Sequence, residues 1–132
     1  QATKFTTNMY KIFLQDAINN YDTKYGGFGN KIKFLYPQIL QMLMFIDKTF
    51  NEKSAKAMVL TTLTNMQKSN IYDTKNGGFY RYANNRDFSQ HSTDKTIYNN
   101  AEISKTYVDA YELYSKEEFL ETAKRCIDFW ID

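Results

Sequence analysis

One eight-residue segment occurs almost twice in this 132-residue chain. Residues 21–28 read Tyr-Asp-Thr-Lys-Tyr-Gly-Gly-Phe, and residues 72–79 read Tyr-Asp-Thr-Lys-Asn-Gly-Gly-Phe. A repeat at this period marks an architecture of stacked, similar units, because each unit buries its apolar face only against the next. The segment itself has turn chemistry. Paired glycines permit positive φ and close backbone approach. Asp22 and Asp73 can accept hydrogen bonds from N–H groups two residues on. Tyr21, Phe28, Tyr72 and Phe79 flank the turns and can pack them down. A folding device accounts for the Asp and Gly residues, and repetition favours it, since catalytic residues are usually unique.

The segments between the repeats are helical in pattern. There is one proline, and apolar residues recur at three- and four-residue spacing. A first helix is expected over 5–20, with Phe5, Met9, Ile12, Phe13, Ala17 and Ile18 on one side. A second runs from Tyr36 or Pro37 to Phe50. Pro37 suits a first helical position, and Ile39, Leu40, Leu43, Met44 and Ile46 make this helix nearly apolar all round, hence buried. A third spans 52–69 with Ala55, Met58, Val59, Leu63 and Met66, capped by Asn51. A fourth covers 95–114 with Ile97, Ala101, Tyr107, Val108 and Tyr111. Ser115 and Glu118 have capping-box spacing and open a fifth helix, carrying Phe119, Leu120, Ala123, Ile127 and Trp130 and still running at Asp132. Each GGF segment lies between two helices, and one helix pair separates the copies. In an array of antiparallel helical hairpins, every second connection falls on the same face. Both GGF loops therefore share one rim, and the turns near 50–52 and 115–116 share the other.

Composition narrows the function classes. Seventeen basic and fifteen acidic side chains leave a net charge of +2. That is too weak for an electrostatically driven nucleic-acid or membrane-surface binder. One Cys excludes an internal disulfide framework and a CxxC redox pair, and one His argues against an all-protein zinc site. Cys126 falls on the apolar side of the fifth helix, as a buried structural thiol does. No apolar run reaches the ~20 residues of a membrane span. No cofactor is called for. No signal-peptide pattern is present, and the chain begins at Gln1 rather than Met, which fits a processed or longer precursor.

Half of the 22 aromatic residues fall in two regions, 21–36 and 72–98. Tyr and Phe on a concave rim suit stacking on sugar faces, and they equally suit long loops that need small cores of their own. The second loop is long and polar through Lys95, a length that points to function or disorder. Thr93 or Asp94 is placed to cap the fourth helix. As chemistry, His91 with Asp87 or Asp94 has the composition of an acid–base pair. Ser92 beside His91 makes no triad, because triad partners are recognised by geometry rather than adjacency.

These two loops carry a resemblance. Gly26-Gly27-Phe28-Gly29, Lys33-Phe34 and Pro37 follow a motif of approximate form GGFGxxPKFPxP, with Ile32 and Leu35 in place of two prolines. Gly78, Phe79, Arg81, Tyr82, Lys95, Tyr98, Asn100 and Ala101 follow GGFHRYxVDxxWxxPHFEKMLYDNA without a gap. Tyr80 replaces its first His, Asn85 an Asp, Phe88 the Trp, His91 the Pro, Ser92 the second His, Asp94 the Glu and Asn99 an Asp. The stretch 21–114 resembles the YyaL-type, spermatogenesis-associated protein 20-like thioredoxin-domain family. The resemblance implies an all-α fold of about five helices. It would be a partial α/α toroid of the six-hairpin glycosidase type, akin to N-acylglucosamine 2-epimerases. Residues 1–132 would then form a single helical-hairpin domain, part of a larger toroid. It also implies a carbohydrate-binding or sugar-modifying module, with Tyr25, Phe28, Lys33, Arg81, Tyr82, Asp94 and Lys95 as binding residues and Asp94 as the acid–base candidate. The lost motif histidines and aspartates keep a second reading open. In it the chain is a non-enzymatic helical scaffold, binding a protein partner through the GGF rim or an unclosed helical edge. The implied partners are a carbohydrate ligand, and either the remainder of the same polypeptide or a second copy of the chain.

Overall fold

The computed structural model describes residues 2–131, with side chains from residue 7 onward. Among these residues it has five helices: α1 (Ala2–Asn20), α2 (Pro37–Phe50), α3 (Lys53–Gln67), α4 (Ile97–Tyr114) and α5 (Glu117–Ile131). Two strands of two residues each, β1 (Lys33–Phe34) and β2 (Tyr82–Ala83), pair antiparallel as a ribbon. The helices were legible from their spacing. The strands were not, because two residues are too few to show an alternating pattern.

α2 and α3 form one hairpin and α4 and α5 a second. The turn at Asn51–Glu52 joins the first pair and Ser115–Lys116 the second. These turns meet at one end of the molecule, where the Tyr114 hydroxyl donates to Asp47 at 2.7 Å and Lys56 lies over the Tyr114 ring. Both GGF loops lie at the other end. The core is continuous between the hairpins: Leu40, Leu43, Ile46, Val59, Leu63, Met66, Ile103, Tyr107, Phe119 and Ala123 are fully buried. Tyr107 stacks on Phe79, meets Phe119 edge-on and donates its hydroxyl to the Leu63 carbonyl at 2.6 Å. Burial raises its pKa well above the ordinary phenol value.

Several expectations are corrected. Met9, Ile12 and Ile18 are exposed, and the inward face of α1 is Leu14 and Ala17, with Tyr10 and Phe13 packed beside them. α1 packs mainly on α2, so spacing alone picked a stripe that these contacts do not cover. The Phe5 side chain lies outside the described residues. Ile97 and Ala101 on α4 are exposed, as are Ile127 and Trp130 on α5. Asn51 and Ser115 do not open helices. Each is the left-handed C-cap of the preceding one, donating its N–H to Asp47 and Tyr111 respectively. Glu52 precedes α3 with no side-chain cap bond. In each two-residue connection the first residue is taken by the left-handed C-cap of the preceding helix, which leaves only the second to precede the next. The N-cap of α4 is Thr96, whose hydroxyl accepts from the Asn99 N–H, rather than Thr93 or Asp94. No described helix is long and apolar enough to cross a membrane.

Candidate functional site

Each GGF loop is closed by the same device. Asp22 Oδ1 accepts from the N–H groups of Lys24 and Tyr25, and Asp73 Oδ1 from those of Lys75 and Asn76. Tyr21 bridges to Phe28, and Tyr72 to Phe79. A lysine then completes each loop. Lys33 Nζ donates to Asp22 Oδ2 at 2.6 Å and to the Gly26 carbonyl at 2.7 Å. Lys95 Nζ donates to Asp73 Oδ2 at 2.7 Å and to the Gly77 carbonyl at 2.9 Å. The two lysines come from different places, a strand and a pre-helical residue, so no sequence period links them. Burial works against ionising either carboxyl. The cations and backbone donors outweigh it, and both Asp22 and Asp73 are held well below the usual carboxylate range. Burial in turn pushes the Lys33 ammonium down against the pull of Asp22.

The first loop has an additional lock. Arg86, from the long second loop, forks onto both oxygens of Asp22 and lies over the Tyr25 ring at 5.2 Å. Phe88 is buried in a left-handed conformation (φ 64°) against Lys33 and Gly27, where a Cβ added to the glycine would come within 2.7 Å of its ring. Arg86 carried no motif and was missed in the sequence. The sequence offers one signal for it: the single mismatch of the repeat, Tyr25 against Asn76, falls on the residue that the guanidinium covers.

The ribbon sorts its side chains by face. Lys33 and Ala83 are register partners on the buried side, and Phe34 and Tyr82 on the outer side. Across that outer side runs a row of flat groups. Tyr36 meets Phe34 at 6.0 Å between ring centroids, Phe34 meets Tyr82 at 5.6 Å, and the Arg81 guanidinium lies 4.9 Å over Tyr82. Arg81 Nε then donates to Asp94 Oδ2 at 2.9 Å, with both side chains nearly half exposed. Arg81 holds the Asp94 carboxyl below its ordinary value. Asp94 is thus an ionised acceptor, suited to a base or to a hydroxyl ligand rather than to donating a proton. Beside the row, α1, the first loop and the start of α2 enclose a cleft of about 400 Å³ that includes Phe13, Phe28, Phe34 and Tyr36.

Arg81, Tyr82 and Asp94 therefore lie together on one exposed surface. Tyr25 is half-buried under Arg86, Phe28 lines the cleft, and Lys33 and Lys95 sit inside the loop clasps. His91 forms no pair with Asp87 or Asp94. Its ring stacks on Tyr80 at 3.8 Å and its Nδ1 meets the Ser92 carbonyl, while Asp87 accepts from the Ser89 N–H. Buried Ser92 accepts from the backbone N–H groups of Arg81 and Tyr82. Sequence reasoning missed Phe34 and Tyr36 as surface groups, since their exposure depends on the unforeseen ribbon. Among the described residues no three His, Cys, Asp or Glu side chains are placed to hold a metal ion.

No protein-family model matches the sequence. Over 119 residues, 87% of its length, the chain is 30% identical to spermatogenesis-associated protein 20 of Rattus norvegicus and 29% identical to that of Homo sapiens. It spans 15% of the length of those proteins. Among solved structures it is similar to cellobiose 2-epimerase from Spirochaeta thermophila, with a TM-score of 0.81 at 18% identity over 91% of this chain and 32% of that one. A sugar epimerase from a ruminal bacterium aligns with a TM-score of 0.72 at 20% identity, over 92% of this chain and 36% of the other. A family 76 glycoside hydrolase from a bovine Bacteroides thetaiotaomicron strain aligns with a TM-score of 0.67 at 14% identity, over 83% and 26%. The fold is that of part of a six-hairpin α/α toroid.

Proposed function

We propose that this homologue of the thioredoxin-domain, YyaL-like spermatogenesis-associated protein 20 family supplies a carbohydrate-binding rim to an α/α toroid. The observation that carries this reading is the exposed row Phe34–Tyr82–Arg81–Asp94. Aromatic faces take the apolar face of a sugar ring, and a charged pair at the end of the row bonds its hydroxyls and fixes its orientation. The sugar-acting names of the structural neighbours agree with the reading. In it Arg81, Tyr82 and Asp94 touch the ligand, Tyr25 and Phe28 shape the rim, and Lys33 and Lys95 act from beneath by holding the loops that present it. Should the rim also carry out chemistry, Asp94 is the exposed carboxylate of the row and so the group to accept a proton, although its bond to Arg81 weakens it as a base.

The test is calorimetric titration of the protein with glucose, mannose, cellobiose and α-mannobiose. Binding that is lost in Arg81→Ala and Asp94→Ala, with thermal stability kept, is the expected result. Titrations in which both variants bind as the unaltered protein does would overturn the reading.

A second reading rests on a different observation. Met9, Ile12, Met42, Phe45, Ile127 and Ile131 expose large apolar surface on α1, α2 and α5. A helical scaffold that docks a protein partner through such an edge, either the remainder of its own polypeptide or a second copy, would present it.

A further inference from the structure

The row on the ribbon does not end at Phe34. That ring also forms one wall of the 400 Å³ cleft, so the exposed aromatic surface turns a corner and continues inward. The cleft has the composition of a ligand site rather than of a packing defect: Phe13, Phe28, Phe34 and Tyr36 give flat apolar walls, and Asp16 and Asn20 from the last turns of α1 stand at its edge. Among the described residues no hydrogen bond or ion pair holds the Asp16 carboxylate. Asn20 donates its amide to the Asp16 carbonyl, which fixes its side chain at the edge. Gly29 leaves space open there, since an added Cβ would approach only the Ile32 carbonyl, at 3.8 Å.

Tyr36 supplies the second, independent observation. It is left-handed, with φ 50° and ψ 53°, immediately before Pro37. A bulky residue in that conformation is strained. At Phe88 the same strain is offset by complete burial of the ring. At Tyr36 it is not, because the side chain remains 38% exposed and its ring contact is Phe34. Strain that packing does not offset, at an aromatic residue on a cleft wall, is the pattern of a ligand-facing group.

We infer that the cleft is a second sugar subsite, continuous with the ribbon through Phe34, so that the ligand is an oligosaccharide of at least two rings rather than a monosaccharide. One ring stacks in the cleft, with Asp16 and Asn20 taking its hydroxyls, and the next lies on Phe34 and Tyr82 beside Arg81 and Asp94. The inference rests on the carbohydrate reading above and deepens it by naming the size class of the ligand.

The experiment compares monosaccharides with their disaccharides (glucose with cellobiose, mannose with α-mannobiose) by calorimetry on the full chain and on two variants. Tyr36→Gly removes the ring while relieving the left-handed strain, so its fold is kept or strengthened. Asp16→Ala removes an exposed carboxylate from α1. The expected result is that at least one disaccharide binds about tenfold or more tightly than its monosaccharide, and that each variant erases this gain. Equal binding of mono- and disaccharide, or a gain that survives Tyr36→Gly, overturns the second subsite and leaves the ribbon site standing. No binding of any sugar overturns both.

Discussion

Asp22 is the residue on which the first loop depends. It is buried between Lys33 and Arg86, and it also accepts from two backbone N–H groups. Removing one partner of a buried pair leaves the other charge uncompensated, which costs about 3–5 kcal/mol. Asp22→Ala should therefore lower unfolding free energy by about that amount in urea titration. Asp73→Ala should cost less, because Lys95 and Asp73 lie nearer the surface and no arginine joins them. The pH dependence follows from the same contacts. Both carboxyls are held below the unfolded value of about 3.9, so their contribution is complete above roughly pH 4 and is lost as the pH falls through the folded values. Urea midpoints measured from pH 6 downward should fall steeply below pH 4, and Asp22→Asn should flatten that fall. The loop chemistry of Asp22 and Asp73 could be read from the repeat itself. The lysine and arginine partners could not, since each comes from a segment whose approach is set by the fold.

At the scale of elements, the helices were legible and their ends were not. Spacing located all five, yet Asn51 and Ser115 are C-caps of the preceding helices, and the N-cap of α4 falls at Thr96, two or three residues beyond Asp94 and Thr93. Cap choice there depends on which carbonyls the neighbouring helix leaves orphaned, and no local pattern encodes that. The ribbon was illegible for a related reason. Its faces are sorted by Lys33 reaching inward to Asp22, against the tendency of lysine to stay exposed. The two hairpins also cover their glycine loops in equivalent ways. The Gly27 N–H donates to Thr62 of α3, and Gly77 packs against the Arg125 backbone of α5. Burial pushes the Cys126 thiol up to about 11, so a thiol reagent should react with it only on unfolding. Gly77 is packed more tightly still. Its φ is 89° and an added Cβ would stand 2.5 Å from the Arg125 carbonyl. Gly77→Ala should cost about 2–4 kcal/mol, against roughly 1–2 for Gly29→Ala, where only the left-handed strain applies.

At the scale of the whole molecule, the two hairpins form an open array whose loops gather at one end. That placement was legible from the repeat, because alternate connections of a hairpin array share a face. The row of Phe34, Tyr82, Arg81 and Asp94 was legible only in part. Arg81, Tyr82 and Asp94 were singled out by motif, but their union with Phe34 depends on the ribbon. The exposed apolar residues of α1, α2 and α5 predict that the isolated chain self-associates in sedimentation velocity, and that replacing Ile12 and Ile127 with Lys returns it to a monomer. The central claim is that the loop rim, rather than the opposite end or the helical edges, is where the molecule meets a sugar. Amide chemical-shift mapping with cellobiose and α-mannobiose tests it directly. Shifts concentrated at residues 28–36 and 80–95, and absent from Arg81→Ala, are the predicted result. Shifts centred on the turns at Asn51 and Ser115, or on the exposed faces of α1 and α5, would contradict it.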